Sequence, residues 1–293
     1  MYKDKNGIFV LGAQRSGTTM LGNILASQKD IIGVTHDNHW GIYESSYFSH
    51  IEGRYGDVSI RNNYLEFISV MANYDYFRLM GFNFESLKEL DAKSYKEFFE
   101  TTHRLYIEKN SAKYWIEKTP AHSFFLETLI GYFPDAKYIW IKRDLFEALE
   151  SSYNLHFEKK QNLIRNIIFT TKFLITRYLY DCILKKNYKN ILVVDYKKLA
   201  QKEIGELKKI EEYLGLKIDF DKNKFKKNSS YSIKKKKINL DKNYNLYMKI
   251  LKIPLSLIPI KILKEYKKKS IRNTSKVLPP WFFSLIGERL LSI

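Results

Sequence analysis

The chain has 293 residues, 45% of them hydrophobic, enough for one large core or one core with a small appendage. No run of about 18 apolar residues is present to span a membrane; the nearest, Ile250 to Leu263, is broken by Lys252, Pro254, Pro259 and Lys261. The net charge of +18 belongs to the tail: residues 221–293 carry 19 Lys and Arg against 4 Asp and Glu, a net of +15, which leaves +3 for everything before them.

Short runs rich in Ile, Val, Trp and Tyr alternate with stretches of helical period, the pattern of a parallel sheet covered by helices. In chain order, strands are predicted at Ile8 to Leu11, Ile31 to Thr35, Tyr114 to Glu117, Lys137 to Ile141 and Ile191 to Val194. Helices are predicted at Thr18 to Ser27, Lys93 to Asn110, Asp144 to Asn154, Asn162 to Lys186 and Glu203 to Leu214, with Gly215 ending the last. The fold class is therefore α/β, a P-loop-containing parallel sheet flanked by helices. The expected division is a domain over residues 1–225 and a basic, helical C-terminal extension over residues 226–293. Residues 41–92, rich in Tyr and Phe without a clean period, read either as an insertion walling the acceptor side of a cleft or as an ordinary helical connection whose aromatics join the core.

The first strand runs into Gly12-Ala13-Gln14-Arg15-Ser16-Gly17-Thr18-Thr19. Its glycines have phosphate-loop spacing, letting the backbone wrap an anion while the amides at the helix start point at it. The Lys of a nucleoside-triphosphate loop is missing: Thr18 stands in its place, and Arg15 lies within the loop. A β/γ-phosphate clamp with Mg²⁺ is correspondingly less natural.

The strand Lys137-Tyr138-Ile139-Trp140-Ile141-Lys142 leads to Arg143 and Asp144. Asp144 and Glu147 have the spacing of a capping box, which leaves Arg143 to reach over the carboxyl edge of the sheet, where ligands of open parallel sheets bind. Ser151 follows Arg143 by eight residues on the next helix.

On these two segments the sequence resembles the sulfotransferases that use 3'-phosphoadenosine-5'-phosphosulfate (PAPS), in motif the tyrosylprotein type and related bacterial sulfotransferases. The resemblance implies that Arg15, Ser16, Gly17, Thr18 and Thr19 hold the 5'-phosphosulfate and that Arg143 with Ser151 holds the 3'-phosphate. It also implies that Tyr196 lies near the adenine. The segment Trp115-Ile116-Glu117-Lys118-Thr119-Pro120 is similar to the family's Lys-Thr-Pro stretch, whose Lys approaches the transferred group. Sulfuryl transfer is in-line displacement, so cations are needed where charge develops on the departing phosphate, and Arg15 and Lys118 are the candidates.

A hydroxyl acceptor must lose a proton, and the segment Thr35-His36-Asp37-Asn38-His39 with Glu44 offers bases. The position of the family's catalytic Glu falls on His36, whose imidazole suits near-neutral proton transfer. His39, Asp37 and Glu44 stay open beside it. His36, Asp37 and His39 lack a fourth partner for a metal site, and the reaction needs no metal.

The expected function is thus transfer of a sulfuryl group from PAPS to a hydroxyl or amine on a glycan, a lipid-linked sugar or a small metabolite. The rival is a P-loop kinase or nucleotide triphosphatase, which leaves Arg143 and Ser151 unexplained. The stretch Asn228 to Ser232 with Lys234 to Lys237 is similar to the loop that closes over the adenosine in related enzymes. Beyond it, a Lys- and Leu/Ile-rich segment ending in Pro279-Pro280-Trp281-Phe282-Phe283 has the composition of an amphipathic surface, so peripheral contact with an anionic membrane is expected, and nucleic acid is not. The lone Cys182 and the absence of a basic, apolar leader make the cytoplasm, at the inner membrane surface, the expected location.

Overall fold

Five strands form one sheet in the order β2-β3-β1-β4-β5: β1 Gly7–Leu11, β2 Ile31–Gly33, β3 Tyr114–Glu117, β4 Lys137–Lys142 and β5 Ile191–Asp195. Every neighbouring pair is parallel, with Phe9 opposite both Glu117 and Tyr138. The computed structural model describes residues 7–36, 39, 41–156, 163–186, 188–222 and 258–277. Asp37, Asn228 to Ser232, Lys234 to Lys237 and Pro279 to Phe283, singled out from the sequence, lie outside these residues.

Strand side chains alternate between faces, and here the alternation also sorts them by chemistry. Phe9, Leu11, Trp115, Tyr138 and Trp140 enter one cluster; Ile8, Val10, Ile116, Ile139, Ile141 and Val194 enter the other. On the aromatic face Phe9 stacks on Tyr138 at 5.3 Å and meets Trp115 edge-on at 5.1 Å. The aliphatic face is covered by α1 Thr18–Ala26, α9 Tyr196–Ala200 and α10 Ile204–Leu214, whose Leu21, Leu25, Leu199, Ile210 and Leu214 complete that cluster.

Residues 41–92 fold as a helical connection on the aromatic side, with their aromatics in the core. A π-helical turn Tyr47–Ile51 precedes α2 Arg61–Met71, α3 Asp75–Met80 and α4 Phe84–Leu90. Tyr47, Phe48, Tyr64, Phe67 and Phe77 are fully buried there against Phe98 and Phe99 of α5 Tyr95–Lys109. Asn83 and Ser86 cap α4 reciprocally, and Ser94 caps α5 through the Glu97 amide. After β3 come a 3₁₀ turn Pro120–Phe125 and α6 Leu126–Tyr132; α7 Leu145–His156 and α8 Leu163–Leu184 connect β4 to β5.

The last described helix, α11 Ile260–Val277, lies on the body. Lys264 bonds Glu127 at 2.7 Å, and Arg272 sits 3.6 Å from Glu52 and 5.1 Å from the Phe125 ring centre. Among the described residues no helix is long and apolar enough to cross a membrane.

Topology positions the site. The chain leaves β1 toward β2 on one side of the sheet and leaves β4 toward β5 on the other. β1 and β4 are neighbours whose exits diverge, which opens a crevice at their carboxyl ends. The Gly12–Thr19 loop and Arg143 both stand at that crevice.

Candidate active site

The loop after β1 owes its shape to its glycines. Gly12 has φ 142°, and a Cβ there would sit 2.6 Å from the Ile141 carbonyl oxygen of β4. Gly17 has φ 98°, and a Cβ would fall 2.3 Å from Cδ2 of Tyr196. The chain can therefore hug β4 and the Tyr196 ring only without side chains at these points. Arg15, at φ 66°, also takes the left-handed region, which is uncommon for a residue bearing a Cβ. Gly17 starts α1 without a side-chain cap, so the amides of the first turn remain for an anion. Thr18 is buried and Thr19 half-buried at the head of α1.

Three guanidinium groups tie the loop to the rest of the crevice. Arg15 donates through Nε and Nη2 to Ser151 Oγ of α7, at 3.2 and 3.1 Å. Arg143 donates to the Arg15 carbonyl at 3.0 Å, and its guanidinium lies 4.3 Å over the Tyr196 ring. Arg177 of α8 donates to Ser16 Oγ at 2.9 Å and to the Arg143 carbonyl. Burial lowers the Arg177 pKa, opposed by Asp181 nearby. Arg15, Ser16, Gly17, Arg143, Ser151 and Tyr196, drawn from separate stretches of sequence, thus form one connected group.

The cap of α7 differs from its sequence reading. Asp144 Oδ1 accepts from the amides of Phe146 and Glu147, at 2.9 and 3.1 Å, as a cap should. The Glu147 side chain does not return to complete a capping box; it lies 3.3 Å from Arg143 Nε, because the cation one turn back offers it a charged partner.

A second cluster forms where β3 ends. Lys118 Nζ bonds Glu44 Oε1 at 2.6 Å, so the lysine pairs with Glu44 and not with its neighbour Glu117. Glu117 is wholly buried: Oε1 accepts from the Ser45 hydroxyl at 2.8 Å and the Thr119 hydroxyl at 2.5 Å, and Oε2 from His122 Nδ1 at 2.9 Å. The Phe48 amide donates to His122 Nε2 at 3.2 Å, and the Ser46 amide to Thr119 Oγ1 at 3.1 Å. Burial pushes the Glu117 carboxyl up, but His122 and the two hydroxyls outweigh it and hold the pKa at about 2. This web pins the 45–48 backbone to the end of β3, which fixes Glu44 against Lys118.

The histidines lie beside that pair. His39 is buried, stacks on Tyr43 at 4.1 Å and bonds the Gly41 carbonyl through Nδ1. Its pKa is lowered by burial first, with Lys118 and His36 lowering it and Glu44 raising it. His36 is half-buried, and its carbonyl accepts from the His39 amide at 2.9 Å.

Sequence reasoning missed Arg177, Ser123 and the Glu117 to His122 web. Ser123 Oγ accepts from the Gly12 amide at 3.0 Å, joining the phosphate loop to the turn after Lys118. Arg177 could have been suspected as a cation inside the apolar run of α8. The pair Glu117 and His122, five apart around Pro120, is a possible signal for the buried bond.

Comparison with known proteins identifies the family and the fold. A family model described as the sulfotransferase family matches residues 7–221. The sulfotransferase domain of the olefin synthase from Synechococcus PCC 7002 superposes with a TM-score of 0.50 at 15% identity, over 95% of this chain and 98% of that one. The Mycobacterium tuberculosis sulfotransferase STF1 gives 0.42 at 15% identity, over 89% and 76% of the two chains. No curated protein sequence matches. The first superposition bears on the fold alone; the family match covers well over half of the chain, and with it the crevice and both clusters. The chain therefore belongs to the sulfotransferase family of enzymes.

Proposed function

We propose that this enzyme moves a sulfuryl group from PAPS to a hydroxyl or amine acceptor, with Glu44 as the base. The observation that carries the reading is the bond from Arg15 to Ser151. It makes the loop expected at the 5'-phosphosulfate continuous with the Arg143 and Ser151 pair expected at the 3'-phosphate. The donor set suits a nucleotide with anions at both ends: a glycine cradle, an open helix start and the Arg15, Arg143 and Arg177 guanidiniums.

PAPS, when bound, supplies the sulfuryl group on a phosphate leaving group. Arg15 and the α1 amides stabilise charge on that phosphate. Lys118, held by burial at the end of β3, adds a cation beside the transferred group. Glu44, more exposed, takes the acceptor's proton. Glu44 is preferred to His36 because it is in direct contact with Lys118. Tyr196, against Gly17 and under Arg143, offers a flat surface to the adenine. The acceptor class remains as read from the sequence: a glycan, a lipid-linked sugar or a small metabolite.

Calorimetry with 3',5'-adenosine bisphosphate and with ATP, each with and without Mg²⁺, tests the reading. Metal-independent binding of the bisphosphate, weakened by about 1.5–3 kcal/mol in Arg143→Ala, supports it. Preference for ATP with Mg²⁺ and indifference to Arg143→Ala overturns it in favour of a P-loop kinase.

A further inference from the structure

Helix α11 buries a lysine against the body while leaving large apolar side chains exposed. Its inward face carries Lys264, Lys267 and Lys268 with Leu263 and Ile271, while Ile262 and Tyr266 stand exposed on its outward face among Lys261, Glu265 and Lys269. Lys264 is 7% exposed, whereas Ile262 is 61% and Tyr266 72% exposed. The buried lysine is matched by Glu127, and Lys267 and Lys268 lie over the rings of Phe124 and Phe125 at 5.9 and 5.6 Å. These contacts fix the rotation of the helix.

The consequence is a stripe. Ile262 and Tyr266, spaced four apart, share the outer face, exposed Ile258 lies just before the helix, and Lys261, Glu265 and Lys269 are exposed beside them. Next to it a cleft of about 480 Å³ opens between α11 and the turn at residues 50–54. Arg54, Lys268, Lys269 and Arg272 line it together with Glu52 and Glu265, which lie close to Arg272 and Lys268. An apolar stripe flanked by lysines, beside a cation-lined cleft, matches a surface that is apolar within and anionic at its rim. The sequence continues the pattern on both sides, with Leu255 and Leu257 before the helix and Trp281, Phe282 and Phe283 after it, in a region of net charge +15.

We propose that α11 docks this enzyme on an anionic lipid bilayer, with Ile258, Ile262 and Tyr266 entering the interface and a lipid phosphate seated in the cleft. The proposal is independent of the nucleotide site, with which the stripe and the cleft share no residue. It would bring the transfer chemistry to acceptors at a membrane surface.

The test is co-sedimentation of the full chain with vesicles of phosphatidylcholine alone and of phosphatidylcholine carrying about one-third phosphatidylglycerol. Binding to the anionic vesicles only, weakened by salt and reduced roughly tenfold or more in Ile262→Asp/Tyr266→Asp, supports it. A second variant, Lys261→Glu/Lys269→Glu, should lose anionic selectivity while keeping the melting temperature and bisphosphate binding of the wild type. Wild-type partition in both variants overturns the proposal, because the basic tail would then suffice without α11. So does absence of vesicle binding, or a wild-type dimer that dissociates in Ile262→Asp/Tyr266→Asp, which would make the stripe a contact between copies of this chain. Inhibition of vesicle binding by inorganic phosphate at low concentration would assign the cleft to a free anion and overturn the lipid assignment.

Discussion

Lys118 and Glu44 form a 2.6 Å ion pair in which burial is one-sided: the lysine side chain is 3% exposed and the carboxylate 45%. The cation is fixed by the protein, and the acid faces the solvent side. Glu44→Gln should therefore lower kcat by about 10²–10⁴-fold with bisphosphate affinity kept. Lys118→Met should lower it by about 10²–10³-fold. His36→Ala measured alongside decides the base: a loss confined to His36→Ala would transfer the role to the imidazole.

Arg177 links Ser16 of the loop to the carbonyl of Arg143 from inside the protein. Arg177→Met keeps the bulk and removes the donors. Bisphosphate binding should weaken by about 1–3 kcal/mol and the melting temperature should fall, since Ser16 Oγ is left in a buried site without this donor. Calorimetry and thermal melts of the variant check both.

Gly17→Ala meets two obstacles, the Tyr196 ring and a backbone at φ 98°. The single variant should lose at least about 1 kcal/mol of stability and most nucleotide affinity. Adding Tyr196→Ala removes the ring and leaves the backbone cost, so the double variant should recover only part of the stability. Full recovery in denaturant titrations would show that crowding alone excludes a side chain here.

Acid should destabilise the fold in two windows. Burial lowers His50 and His103 to about 4, with His122 further lowering His50. The unfolded chain binds these protons near 6.5, so stability is lost as pH falls from 6.5 toward 4. For the wholly buried His103, whose Nδ1 faces the Phe99 carbonyl and whose Nε2 faces the Tyr76 hydroxyl, the loss is roughly 3 kcal/mol. Glu117, held at about 2 against an ordinary 4.5, adds a second loss as pH falls from 4.5 toward 2. Urea titrations from pH 7 to pH 4.5 should show the first slope and a shallower one in His103→Gln.

The sheet was legible because each strand is a short apolar run with glycine, proline or charge at its ends, and each of the five predicted strands overlaps an observed one. The phosphate loop was legible for a similar reason: glycine spacing is a backbone property and survives without knowledge of tertiary neighbours. Residues 41–92 were not, since π-helical and short helical pieces bury aromatics without a sustained 3.6 period, and Tyr47 and Phe77 meet only in three dimensions. Glu44 was among the candidate bases, but its place beside Lys118 depends on Ser45, Ser46, Thr119 and His122 acting together across more than 70 residues of chain. The amphipathic character of the C-terminal segment was legible from its composition, but the rotation of α11 was not: Lys264 is buried beside Glu127 while Lys261 and Lys269 stay exposed.

Arg15 occupies a backbone conformation at φ 66° that glycine would hold more comfortably, yet its guanidinium is the link between loop and helix. The strain is about 1 kcal/mol, small enough to persist and large enough to be selected against. Laboratory evolution for heat resistance alone would push this position toward glycine, relieving the backbone while cutting the bond from loop to helix and, with it, the phosphate contact proposed for Arg15. Only a screen that counts turnover would hold the arginine in place.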